Sequence, residues 1–156
     1  MIFIFDLDHT VIDSSHRQLT KADGSLCLDS WRANCTREKI MADTLLPLAD
    51  VMKRYYDEGH TIVVCTARVC SEHDMDFLEK HGLRFHHFLS RASDDMRGDA
   101  DYKSAKLAHW GRVQNLPVDW RKDAVMFDDN QAVIARMIKE RLYTFDAIRY
   151  NRRLAA

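Results

Sequence analysis

Met1-Ile2-Phe3-Ile4-Phe5-Asp6-Leu7-Asp8-His9-Thr10 opens the chain, an apolar run that passes directly into two carboxylates and a hydroxyl. An apolar run bounded by polar residues is the pattern of a strand buried on both faces of a parallel sheet. Carboxylates at its end put acidic chemistry at the sheet's C-terminal edge, where open α/β sheets bind their ligands. Asp6 and Asp8 are separated by one residue, so strand geometry continued through both would point them the same way. Two like charges held that close need a cation.

Working outward, residues 11–28 are polar and contain Asp23-Gly24, which predicts a loop or small hairpin lying over the carboxylates. A short helix is expected within 29–42, with Trp31, Ile40 and Met41 as packing residues. Helical spacing is clearer over 45–58, where Leu48, Val51, Met52, Tyr55 and Tyr56 recur before the stop at Gly59. Residues 60–66 read as a second buried strand ending at Thr66, with Arg68 just beyond. A helix over 71–81 follows, capped by Ser71 with Met75 and Leu78 inward, and then a strand over 83–89 in which His86 and His87 face opposite sides.

The polar loop 91–101 feeds a helix over 102–109, which places Lys103 near that helix's start. Residues 111–122 read as a connection, and the strand 123–127 ends in Asp128-Asp129-Asn130, which also caps a helix carrying Val133, Ile134, Met137 and Ile138. A last strand is expected over 142–145, and the remainder is tail. Strands alternating with helices predict an α/β, Rossmann-like, doubly wound parallel sheet. Neither usual insertion point holds a full cap domain, so the cap is minimal or absent. The organisation expected is one domain, 1–156, with 11–44 as a flap over the site.

Composition narrows the class. Hydrophobic residues make up 46% and charged residues 30%, which is ordinary for a globular chain. No apolar run approaches the roughly 20 residues needed to span a bilayer, and no signal-peptide pattern surrounds the N-terminal strand. Cys27, Cys35, Cys65 and Cys70 show neither a CxxC pair nor zinc-like spacing, and reduced thiols fit the cytoplasm. A formal net charge of -1 argues against a global electrostatic grip on nucleic acid, leaving only a local basic patch.

Three strands therefore deliver polar groups to one sheet edge: Asp6 and Asp8, then Thr66 and Arg68, then Asp128 and Asp129. Crowded carboxylates suit a hard divalent cation, and Mg²⁺ takes a few carboxylates, keeps waters and accepts substrate phosphate. A Thr66 hydroxyl and a Lys103 ammonium would bind phosphoryl oxygens, and phosphoryl transfer needs little beyond positioning and charge neutralisation. A carboxylate can also be the nucleophile, with Asp6 better placed for that and Asp8 for proton transfer.

These residues, in this order, resemble the four motifs of the haloacid dehalogenase (HAD) superfamily of phosphatases: Asp6-Leu7-Asp8-His9-Thr10, Thr66, a loop-then-helix lysine, and Asp128-Asp129. The likeness spans nearly the whole chain. It implies Asp6 as nucleophile, Asp8 as general acid/base, Thr66 on phosphate and Lys103 balancing its charge. It also implies Mg²⁺ held by Asp6, the Asp8 carbonyl and Asp129, with Asp128 assisting. His9 stands where the motif usually has glycine. Lys106 is the rival for the lysine role.

A narrower likeness is to the 3′-phosphatase domain of phage-type polynucleotide kinase/phosphatase. It rests on Arg17, on Thr66-Ala67-Arg68, and on the run Arg97-Gly98-Asp99-Ala100-Asp101-Tyr102-Lys103, where Asp99 would orient Lys103. It implies removal of a 3′-phosphate from a polynucleotide end, with Arg17 and Arg68 gripping phosphate and Lys21, Arg32, Arg91 and Arg97 as a basic rim. The alternatives are a 5′- or 3′-nucleotidase or another small-metabolite phosphatase and, from a different class, a non-catalytic phosphate-binding or receiver-like module. The expected partner is thus a phosphorylated nucleic-acid end or nucleotide, with no membrane and no obligate protein partner.

Overall fold

The computed structural model describes residues 1–156. In chain order the elements are β1 (Ile2–Phe5), β2 (Ile12–Asp13), α1 (Leu28–Ala33), α2 (Arg37–Met41), β3 (Thr44–Leu45), α3 (Leu48–Asp57) and β4 (Thr61–Cys65). They continue as α4 (Glu72–Lys80), β5 (His87–Leu89), α5 (Asp99–Val113), β6 (Ala124–Asp128), α6 (Gln131–Lys139), β7 (Tyr143–Asp146) and α7 (Ala147–Ala155). Five strands pair in the order β5-β4-β1-β6-β7, all parallel, and β2 and β3 form a separate antiparallel pair. The chain runs outward from β1 through β4 to β5, then returns to the other side of β1 for β6 and β7. The order therefore reverses between β1 and β6, the point at which doubly wound sheets open a ligand crevice.

Strand alternation divides the core into two layers. Phe3, Phe5, Ile62, Val64 and Phe127 pack with Leu48, Met52, Phe77 and Leu78 on one face, while Ile4, Val63, Cys65 and Met126 pack with Leu107, Trp110, Val133 and Met137 on the other. Each buried strand thus covers apolar side chains on both sides, as a parallel sheet between two helical layers requires. His86 and His87 follow the same rule, His86 stacking on Tyr56 and His87 meeting Trp110 edge-on. No helix is long and apolar enough to cross a membrane.

Several elements differ from the sequence expectation for identifiable reasons. The region expected as one helix within 29–42 is two short helices, α1 and α2, the second opened by Thr36, whose hydroxyl accepts from the Lys39 N–H. Met75 is exposed, and Phe77 joins Leu78 on the buried face of α4. Strand β5 shortens to three residues at the sheet edge. Helix α5 begins at Asp99 and runs through Gly111, where a Cβ would meet Trp120 Nε1 at 2.6 Å, so glycine here admits the indole against the helix.

The expected tail is helix α7, capped by Asp146, whose carboxylate accepts from the Ile148 and Arg149 N–H groups. Its Asn151 is buried: Oδ1 accepts from the Leu48 N–H at 2.8 Å and Nδ2 donates to the Thr10 carbonyl at 2.9 Å. One side chain thereby joins the start of α3 to the loop that follows β1. The capping Asp followed by Ala147, Tyr150 and Asn151 at i, i+3 and i+4 is the signal that marks this helix in the sequence.

Candidate active site

The register of β1 and β6 sets the geometry. Phe5 lies opposite Phe127, and the Asp6 N–H donates to the Phe127 carbonyl, so Asp6 and Asp128 emerge side by side at the sheet's C-terminal edge. Lys103, from the second turn of α5, sits between them with its Nζ donating to Asp6 Oδ1 at 2.9 Å and to Asp128 Oδ2 at 2.6 Å. Lys106 lies elsewhere on α5, facing the Tyr102 ring and a shallow groove with His109 and Trp110. The structure brings Lys103, not Lys106, to the carboxylates.

Asp6, Asp128 and Asp129 offer one oxygen each within 4.8 Å of one another. Three carboxylates facing one ammonium leave surplus negative charge. Burial, then the Asp6 charge, pushes the Asp128 carboxyl up to about 7 and the Asp129 carboxyl up to about 8. Burial alone would lower Lys103, but Asp6 and Asp128 outweigh it and hold the ammonium charged. Oxygen donors in surplus negative charge are the set that Mg²⁺ takes, so these residues fit the ion implied by the sequence.

Asp8 stands apart from that cluster. Its Oδ1 accepts from Arg68 Nη2 at 2.5 Å and from Ser14 Oγ at 2.6 Å, and its Oδ2 accepts from Arg68 Nε at 3.1 Å. Burial would raise its carboxyl, but the Arg68 guanidinium outweighs that, with help from Ser14, and holds it below the usual carboxylate range. Arg68 also donates to Asp74, whose second oxygen accepts from the Ser71 N–H in a capping box at the start of α4. Thr66, at the end of β4, accepts from the Arg68 N–H at 3.1 Å, which leaves its own hydroxyl proton free for another partner. Thr10 donates to Asp6 Oδ2 at 3.3 Å.

Two sequence-predicted residues lie in different settings from those expected. Arg17 does not reach the site: its side chain is fully buried, Nε and Nη2 each donating to Asp43 at 2.9 Å. Asp99 shares a helix face with Lys103 but does not touch it; its carboxylate pairs with Arg91 at 2.9 Å, while Lys103 turns inward. Of the expected basic rim, Arg32, Arg91 and Arg97 line the cavity, and Arg91 and Arg97 are already paired with Asp95 or Asp99. Sequence reasoning missed Asp43 and Asp74, of which only Asp74 left a local trace, the Ser71…Asp74 capping spacing.

His9 takes φ of +60°, the left-handed region in which glycine is at ease. Its Nε2 lies 2.7 Å from Gln18 Oε1, and Gln18 Nε2 donates to Ser14 Oγ at 2.8 Å. A hydrogen-bonded chain therefore runs from His9 through Gln18 and Ser14 to Asp8. His9, Gln18 and Asp8 border one cavity of about 1080 Å³, floored by Asp6, Asp8, Thr66, Lys103, Asp128 and Asp129 and walled by residues between β2 and β3 and by residues of the 91–99 segment.

The comparisons agree with this architecture. The family described as bacteriophage T5 5′-deoxynucleotidase matches residues 1–156. The 5′-deoxynucleotidase of Escherichia phage T5 is 30% identical over 171 residues, covering 96% of this chain and 68% of that relative. Among solved structures, a haloacid dehalogenase-like hydrolase from Streptococcus pneumoniae superposes with a TM-score of 0.63 at 12% identity, over 96% of this chain and 90% of that one. A chain of the Pnkp1/Rnl/Hen1 RNA repair complex superposes with a TM-score of 0.61 at 21% identity, over 92% of this chain but only 40% of its own length. Matched over its whole length, the chain belongs to the bacteriophage T5 5′-deoxynucleotidase family, as a phosphatase on the HAD fold.

Proposed function

We propose that this phosphatase is a Mg²⁺-dependent phosphomonoesterase that removes the phosphate of deoxynucleoside 5′-monophosphates through an aspartyl-phosphate on Asp6, with 11–44 serving as the flap of a single domain. The observation that carries the reading is the pairing of Asp6 with Lys103 on the floor of a cavity of about 1080 Å³. A phosphate alone needs far less room, and sites for whole small molecules run to roughly 1,000 Å³. The name of the T5 relative supplies the nucleotide.

In this reading Asp6 attacks phosphorus, the bond to the 5′-oxygen breaks, and Asp8 supplies that oxygen's proton. Asp8 then takes a proton from water, whose oxygen attacks phosphorus, and inorganic phosphate leaves as Asp6 is regenerated. Thr66 donates to a phosphoryl oxygen and Lys103 balances the developing charge. Asp6, Asp128, Asp129 and the Asp8 carbonyl would hold Mg²⁺, which when bound offsets the charge of phosphate and carboxylates together. Arg68 can turn to phosphate only by loosening Asp8, and that loosening lets Asp8 accept the proton it must deliver.

The polynucleotide-end reading draws on Arg68 and on the cavity-lining Arg32, Arg91 and Arg97. It has less support here, since Arg17 is held by Asp43 and two of the rim arginines by acids. A panel of deoxynucleoside 5′-monophosphates, their ribose counterparts, nucleoside 3′-monophosphates, a 3′-phosphorylated oligonucleotide and sugar phosphates, run with Mg²⁺ and with EDTA, separates them. The expected result is a deoxynucleoside 5′-monophosphate kcat/KM at least about tenfold above the others and no turnover in EDTA. Preference for the oligonucleotide, falling steeply with salt, would replace this substrate by a polynucleotide end.

A further inference from the structure

The catalytic groups occupy only the floor of the cavity. One wall comes from the segment between β2 and β3 and is partly apolar: Leu26, Leu28 and Trp31 line it. Helix α1, which carries Trp31, has no buried residue, so burial in the core does not explain a tryptophan there. The ring instead rests on charge. The Arg17 guanidinium lies 4.3 Å from its centroid and that of Arg68 lies 5.7 Å away. Arg17 is itself fixed by its buried pair with Asp43, and Arg68 is hydrogen-bonded to Asp8 and Asp74. The Cys35 thiol donates to the Trp31 carbonyl at 3.0 Å, fastening the backbone behind the ring.

An indole backed by an immobile cation, partly exposed and bordering the same cavity as Asp6, is a preformed stacking surface. Holding the ring in one orientation before a ligand arrives reduces the ordering that binding would otherwise demand. Phosphate has no use for such a surface, and a sugar has little. A planar heterocycle does, because its flat face can lie on the indole while the phosphate reaches the carboxylate floor.

We propose that Trp31, flanked by Leu26 and Leu28, is the nucleobase subsite of this enzyme. The inference rests on the nucleotide reading above and assigns the base to a definite wall of the cavity. Stacking of a base on an aromatic side chain, read by alanine substitution, corresponds to a change of about 10- to 100-fold in affinity.

The test compares kcat/KM on a deoxynucleoside 5′-monophosphate with kcat/KM on 2-deoxyribose 5-phosphate, which has the same phosphate and sugar and no base. Trp31→Ala should lower the nucleotide value by about 10- to 100-fold, chiefly through KM, with a far smaller loss on the sugar phosphate, and Trp31→Phe should restore most of it. A direct readout accompanies it: in the Asp6→Asn protein, the nucleotide should quench tryptophan emission saturably, and 2-deoxyribose 5-phosphate should not. Trp110 and Trp120 are buried in the other core layer, so the quench should vanish when Trp31→Phe is added. Equal losses on both substrates, or a quench that survives Trp31→Phe, would overturn the subsite. A wild-type enzyme that prefers the nucleotide and keeps that preference as Trp31→Ala overturns the subsite alone; one that turns over both substrates equally overturns the nucleotide reading and the subsite with it.

Discussion

The floor and the wall of the cavity are built on different principles. On the floor, backbone register does the placing: β1, β4 and β6 run parallel, and their ends set Asp6, Thr66 and Asp128 within one crevice. The wall has two-residue strands and two short helices, and these elements bury only Ile12 of β2 and Ile40 of α2. What holds it is side-chain chemistry, above all the buried Arg17–Asp43 pair and the ring of Trp31 on Arg17. In the proposed reading the reacting groups stand on the sheet, and the groups that meet the nucleobase stand on the segment between β2 and β3.

The sharpest break of that comparison is Asp6→Asn. The amide keeps the shape and loses the proposed nucleophile, so turnover should fall by at least about 10⁴-fold while the melting temperature holds or rises, since one charge leaves a crowded acidic cluster. Residual turnover above a small fraction of wild type would sink the covalent route. A crystal soak with beryllium fluoride, which mimics the acyl-phosphate, should place the fluoride at Asp6.

For the wall, the corresponding test is Arg17→Met. Removing Arg17 leaves the buried Asp43 carboxylate with only the part-exposed His16 at 2.7 Å and Arg68 at 3.8 Å, so the loss should lie at the low end of the roughly 3–5 kcal/mol that breaking a buried pair costs. Adding Asp43→Leu should recover most of it, because the pair is then replaced rather than broken. Urea unfolding of the two variants decides; a loss below about 1 kcal/mol for the single change would mean the wall is held by something else.

Back on the floor, Lys103→Ala should lower kcat by about 10²- to 10³-fold, and Lys106→Ala should change it by no more than about twofold. The contrast rests on placement three residues apart on one helix: Lys103 is buried between two carboxylates, while Lys106 faces a ring. Steady-state assays at saturating Mg²⁺ check the ranking, and the reverse order would reassign the ammonium.

The same floor should also respond to pH when stripped of metal. Asp128 and Asp129 titrate higher folded than their ordinary carboxylate value, so the folded state holds protons that the unfolded chain releases. Stability from these two groups is therefore full below the ordinary carboxylate range and is lost as pH rises through about 7 to 8. Thermal melts in EDTA should fall from pH 5 to pH 8, and Mg²⁺ should restore most of the loss, more at the high end. Because Asp6 and Lys103 share the cluster, the difference between Mg²⁺ and EDTA melts is the quantity to read. A difference independent of pH would remove these acids from metal binding.

The comparison also explains what could be read from sequence. The floor was legible because each buried strand is an apolar run with its polar residue at the end, and because Lys103 follows a polar loop into a helix. Arg17 and Asp99 were misplaced since nothing in their own neighbourhoods records the partner that takes them: Asp43 lies 26 residues from Arg17, and Arg91 competes for Asp99. Asn151 is a harder case. Its hydrogen bonds reach Leu48 and Thr10 across 103 and 141 residues, and a lone polar residue in a helix reads as surface. Trp31 read as core packing because, without the arginines behind it, an aromatic residue in a short helix has no other obvious use.

The smallest effect falls where floor and wall meet. His9 sits at φ +60°, and a non-glycine residue there carries roughly 1 kcal/mol of backbone strain. Since Gln18 Nε2 donates to Ser14, its carbonyl oxygen faces His9, so His9 Nε2 must be the donor in the 2.7 Å contact. His9→Gly relieves the strain, loses a hydrogen bond of about 1 kcal/mol, and adds freedom to the unfolded chain, so stability should fall by about 0.4–1 kcal/mol. His9→Ala keeps the strain and loses the bond, and should lose about 1 kcal/mol, no less than the glycine variant. Both release Gln18 from the chain that ends on Asp8, so both should lower kcat by a similar few-fold whatever their stabilities. If glycine instead raised stability by more than about 1 kcal/mol and left kcat unchanged, the His9–Gln18 contact would hold neither the wall nor Asp8 in place.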